Sequence, residues 1–306
     1  MTEQAGVRAR ARRHHLVSRF YLRGFADGTR LRCAPRDGGD EFLTSIGDAT
    51  VRNDFYTVTA PDGTRSDAFE AWMGEVESDA RPVLDTLVAG EQPPPVGDDR
   101  LNFAGWVALM HLRGDAQRRM VTQVGALFDA AQRAGAVGLL EDRMRGALES
   151  SAASRAAVEA DEHVGVVRGL MPKVAAFLMM SPWRVLHLAE GSLVVSDHPI
   201  DLVPATGPSP NPGTGLKNAR VMLPLARHTL LFIDTPRAGR GLPDKVKEAT
   251  AARVQYCNQQ TMLNARSAVY RHPDDPLPQP VSSFPPPRST EIAFEVMSPR
   301  PSQLPS

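Results

Sequence analysis

At Trp183 the periodicity of this chain changes. Between residues 66 and 180 apolar side chains recur at steps of three and four, the spacing of helices. Beyond Trp183 come Trp183, Val185 and His187, then Val221 to Leu225, then Thr229 to Ile233. These are short extended runs rich in β-branched and aromatic residues. Helices first and strands later argue against alternating βαβ units. The order predicts an α+β fold, a helical layer from residues 66–180 packed on a mainly antiparallel sheet from 183–235. Residues 31–34, 54–59 and 267–270 supply extra strand candidates.

Two helices carry most of that expectation. Phe69, Met73, Val76, Ala80, Leu84 and Leu87 draw one apolar stripe, with Asp67 and Glu70 as a capping box and Pro82 as an expected kink. Residues 99–114 leave almost no polar face, and Trp106, Met110 and Arg113 share one side of them. An arginine on so apolar a helix needs a carboxylate, for which Glu70 and Glu77 are the candidates, because an unpaired buried charge is costly. The helical pattern continues to about 133 and restarts at 137–150 and 154–180. Trp183–His187 then reads as a hairpin with Val194 and Val195, turning at Glu190-Gly191 and ending in Ser196-Asp197-His198-Pro199. Pro224 puts its strand at an edge or bulge. Asp244 is expected to begin a helix running to Asn264.

Residues 1–13 read as a disordered basic arm, 14–272 as a single α+β domain, and 273–306 as a Pro-rich disordered tail. Lys+Arg and Asp+Glu balance at 35 each, so no global field argues for nucleic acid or acidic lipid. The arm alone makes nucleic acid a weak candidate, since it lacks interleaved aromatics for stacking. Lysine stands only at 173, 217, 245 and 247, the coding bias of a GC-rich bacterium. Cys33 and Cys257 form no ligand motif, and a cytoplasmic protein is expected. Apolar runs such as Val174–Met180 are too short to span a bilayer.

One polar centre stands out, His14-His15-Leu16-Val17-Ser18-Arg19-Phe20-Tyr21-Leu22-Arg23-Gly24-Phe25. Ser18 is placed as the N-cap of a helix. Its positive dipole end disfavours imidazolium, so both histidines are expected neutral. With Asn53-Asp54-Phe55-Tyr56, the helix bearing Glu70 and Glu77, Arg113, Ser196-Asp197-His198-Pro199, Pro224-Leu225, Asn258 and Ala268-Val269-Tyr270, this stretch resembles the DUF4238 family over roughly residues 12–272. The chain departs from that pattern at Ser18, where the family often has proline, an exchange expected to affect the helix start and nothing chemical. The family name carries no established activity, so the resemblance implies no catalytic role.

Two functions are in competition. In the first, His14, His15, Asp54, Glu70, Glu77, Arg113, Asp197 and His198 share one cleft, in which a divalent metal held by His14, His15 and His198 activates water, Glu70, Glu77, Arg113 and Asp197 are the catalytic residues, and Arg113 holds an anionic substrate. That would be a metal-assisted hydrolase, conceivably on phosphodiesters. In the second, the protein is a non-enzymatic binding or interaction protein and the Arg113–carboxylate network is structural. Each residue has a structural role to set against the catalytic one: Glu70 in the capping box, Glu77 paired with Arg81 four residues on, Asp197 in an ordinary turn. Nucleotide loops, nucleophile elbows and zinc-protease motifs are all lacking.

Overall fold

Residues 13–59, 65–66, 68–90, 94–122, 159–204, 216, 219–234 and 243–283 are described by the computed structural model. In chain order they begin with β1 (Arg13–His15), a short helix α1 (Arg19–Leu22), β2 (Arg30–Pro35), β3 (Phe42–Ser45), β4 (Val51–Asn53) and the two-residue strands β5 (Val58–Thr59) and β6 (Arg65–Ser66). Helices α2 (Ala68–Ala89), α3 (Gly97–Leu112) and α4 (Glu159–Met179) follow. Then come β7 (Trp183–His187), β8 (Val195–Ser196), β9 (Asp201–Pro204), β10 (Ala219–Ala226), β11 (Thr229–Asp234), β12 (Lys245–Glu248), α5 (Ala251–Asn264) and β13 (Ala268–Arg271). The fold is α+β.

Helix α3 is the centre of the layer. Phe103 to Met110 are all buried, as its lack of a polar face requires. Helix α2 runs through Pro82. Both Pro82 and Ser78, whose carbonyl loses its intrahelical donor, are exposed, so water serves the freed oxygen. The helical layer and the sheet share one apolar core, in which Leu84, Phe103 and Trp106 meet Trp183, Leu223 and Ile233. The capping residue Asp67 and the expected helix at 137–150 lie outside the described residues.

The strands make two principal sheets rather than one with additions. The first has the order β12-β7-β11-β10-β9, antiparallel except for the parallel pair β12–β7. The second, β3-β2-β13-β8, joins the start of the chain to its end, with Cys33 opposite Tyr270. Val195 therefore does not pair with β7. It pairs with Tyr270, while β7 lies between β11 and β12. The turn at Gly191 (φ 77°) is real, but Leu188 and Leu193 donate to the carbonyls of His228 and Arg227 instead of to each other.

Two further expectations are corrected. Of residues 54–59, only Val58–Thr59 is strand. Asp54 has φ 54°, and a left-handed residue turns the chain out of β4. Asp244 starts no helix, because its carboxylate is held by Arg100 at 2.7 Å and by the Trp183 amide at 2.6 Å. It fixes the entry to β12, and α5 begins after Thr250, whose hydroxyl caps the Arg253 amide. Pro224 does sit at an irregularity of the β10–β11 register, between Pro224 and Ala226.

Candidate functional site

Arg113 is the C-cap of α3 and is 1% exposed. Its Nη1 donates to Glu77 Oε1 at 2.7 Å, its Nε to the Leu16 carbonyl at 3.0 Å and its Nη2 to Ser18 Oγ at 2.8 Å. Burial opposes the guanidinium charge. The Glu77 carboxylate, with Tyr56 and Glu70 near, outweighs that penalty, and Arg113 holds its proton more firmly than an ordinary arginine.

Ser18 lies at the middle of this arrangement. Its hydroxyl donates to Glu77 Oε1 at 2.7 Å and accepts from Trp106 Nε1 at 3.0 Å as well as from Arg113. One donor and two acceptors are all that a hydroxyl has, so Ser18 is saturated. It makes no side-chain cap to α1. One serine thus ties the N-terminal stretch to both α2 and α3.

The histidines divide between two places. His14 is fully buried. Its Nδ1 accepts the Tyr56 amide at 2.8 Å and its ring stacks on Tyr56 at 5.6 Å. The Tyr56 hydroxyl, pushed up by burial, donates to the Arg113 carbonyl at 3.0 Å. His15 is half-buried and donates from Nε2 to the Gly47 carbonyl at 3.1 Å, and burial lowers its basicity. His198 is packed against Gly114 and near His111, and burial depresses both rings to about 4. His163, likewise at about 4 by burial, donates from Nε2 to the Leu112 carbonyl at 2.9 Å.

The carboxylates are placed separately. Asp197 accepts the amides of Arg266 at 2.9 Å and Ser267 at 2.8 Å, one on each oxygen. Burial raises its basicity against those bonds. Asp54 accepts the Thr57 hydroxyl at 3.4 Å within its turn. Glu70 is near enough to Arg113 to support its charge.

The predicted metal set of His14, His15 and His198 is not gathered into a three-ligand group among the described residues. An ion needs several donors converging at about 2.0–2.2 Å. His14 Nδ1 is engaged by the Tyr56 amide, His15 faces Gly47, and Asp197 is occupied by the 266–267 backbone. Among the described residues no three His, Cys, Asp or Glu side chains come together as a metal site. What does come together is Arg113, Glu77 and Ser18, with Tyr56, His14 and His163 stacked beside the end of α3. Ser18, Tyr56, Trp106, His111 and His163 take parts here that their local sequence does not signal. A polar Ser18 directly after the buried Leu16 and Val17 is the one local sign of them.

The family model of DUF4238, described as a protein of unknown function, matches residues 13–275 of the chain. No curated protein and no solved structure matches it. No described helix is long and apolar enough to cross a membrane.

Proposed function

We propose, since the chain belongs to the DUF4238 family of proteins of unknown function, that it is a non-enzymatic binding protein whose Arg113–Glu77–Ser18 network is structural. The observation that carries this reading is saturation. The Ser18 hydroxyl has all its hydrogen-bonding capacity used, and the guanidinium of Arg113 is shared among Glu77, Ser18 and Leu16. Catalytic groups need a face turned to substrate, and these turn to one another.

The test is metal binding by the purified full chain. Titration with zinc, manganese and magnesium is expected to show no stoichiometric uptake, and a phosphodiester reporter is expected to remain uncleaved. Stoichiometric uptake that disappears in His14→Ala with His198→Ala would overturn the reading and restore the metal-assisted hydrolase.

A further inference from the structure

We propose that Arg184, Arg220 and Arg253 form a binding site for a small ligand carrying a dianionic phosphate group. The inference rests on the binding-protein reading and names its ligand class. The site lies on the face of the five-stranded sheet that carries the start of α5.

Strand register builds it. Arg184 is opposite Phe232, and Arg220 is opposite Asp234, two residues on and therefore on the same face. The first turn of α5 brings Arg253 over that face. The three guanidinium carbons stand 5.4, 5.9 and 5.5 Å from the centre of the Phe232 ring, which is 1% exposed. Arg253 also stands 5.8 Å from the Tyr256 ring.

Charge is what makes the cluster unusual in this fold. The other well-buried arginines are matched one to one: Arg100 with Asp244, Arg113 with Glu77, Arg271 with Glu41. Here Asp234 serves two at once, Arg184 at 2.5 Å and Arg220. Among the described residues Arg253 has its two ring contacts and no carboxylate. The other carboxylate on this face, Asp201, is hydrogen-bonded to Thr261 and Asn264 further along α5, so among the described residues three guanidiniums share Asp234 alone as an ion-pair partner and leave an excess of positive charge. Lys245, in register with Arg184 on the next strand, adds to it.

Like charges gathered round one ring repel, and a ligand with two negative charges relieves that repulsion where a carboxylate would relieve half. Phosphate oxygens also match the planar fork of arginine, which presents paired donors. Solvent reaches part of the cluster, the side chains of Arg184 and Arg220 being 24% and 19% exposed.

Calorimetric titration of the full chain at about pH 8, where phosphate is dianionic, tests this. Inorganic phosphate and adenosine monophosphate are titrated against chloride of matched ionic strength, with adenosine as the uncharged arm. The expected result is saturable one-site binding of both phosphates and none of adenosine. Arg253→Gln should weaken binding about tenfold or more, the loss of one charge-assisted contact, and Arg253→Lys should weaken it less. Arg253 has no ion pair to break, so Arg253→Gln should remain folded, with a cooperative thermal melt like that of wild type. Absence of saturable binding, or equal affinity in Arg253→Gln, overturns the site. A single-stranded oligonucleotide bound more tightly than either phosphate, in proportion to its length, overturns the small-ligand assignment in favour of nucleic acid. Failure here is distinct from failure of the broader reading, which is decided by metal uptake and the His14 and His198 variants.

Discussion

Arg113 and Ser18 differ in how far each is legible from sequence. An arginine on a helix without a polar face demands a carboxylate, and Glu77 lies on the helical flank that can provide it. Nothing local distinguishes a capping serine from one that turns inward, because both sit at the first turn of a helix with the same backbone. The His14–Tyr56 bond is less legible still, since a ring nitrogen meets an amide 42 residues away. The energetics of the network can be tested directly. Arg113→Ala should destabilise the protein by about 3–5 kcal/mol, the usual cost of orphaning one member of a buried pair, measured by urea unfolding. Arg113→Met combined with Glu77→Leu should recover a large part of that loss, because neither charge is then left alone. A double variant no more stable than Arg113→Ala would show that the pair contributes more than mutual neutralisation.

Among the elements, the helices were readable because their stripes are local, whereas strand partners were not. The Glu190-Gly191 turn looks like that of a hairpin, and Gly191 does turn the chain. Which strand lies beside β7 is decided by residues 229–233 and 245–248, whose pairing no local pattern encodes. The residues 245–248 themselves read as helix because Asp244 resembles a cap, although its carboxylate belongs to Arg100. The end of α2 offers a sharp test of how one element seats another. Gly90 has φ 78°, and a Cβ there would come 3.0 Å from His187 Cε1. Gly90→Ala should cost about 1–2 kcal/mol for the left-handed backbone alone, and more from the collision with the ring. Adding His187→Ala should remove the collision and leave the backbone part, which comparison of the two melts would separate.

At the scale of the molecule, burial governs the response to pH. His111, His163 and His198 all titrate at about 4 in the fold, against about 6.5 in an unfolded chain. Above that upper value all three are neutral in both states and contribute no slope. As pH falls from about 6.5 towards 4 the unfolded chain binds protons that the folded one refuses, and stability is lost. Unfolding near pH 5 should take up about three protons from these groups, read from the pH dependence of the urea midpoint. His198→Asn should flatten that dependence. A midpoint constant between pH 6.5 and 4.5 would contradict it. The same long-range architecture bears on synthesis. Cys33 is paired with Tyr270, and the Tyr21 hydroxyl donates to the Pro224 carbonyl at 2.6 Å. On a ribosome adding roughly 5–20 residues per second, β2 waits on the order of tens of seconds for β13. During that interval α2 and α3 can form from local contacts, but the apolar surface of α3 has no sheet to cover it. The nascent chain therefore carries its stickiest helix without the sheet from Leu112 until β11 ends at Asp234, and this is the stage at which a chaperone would find it.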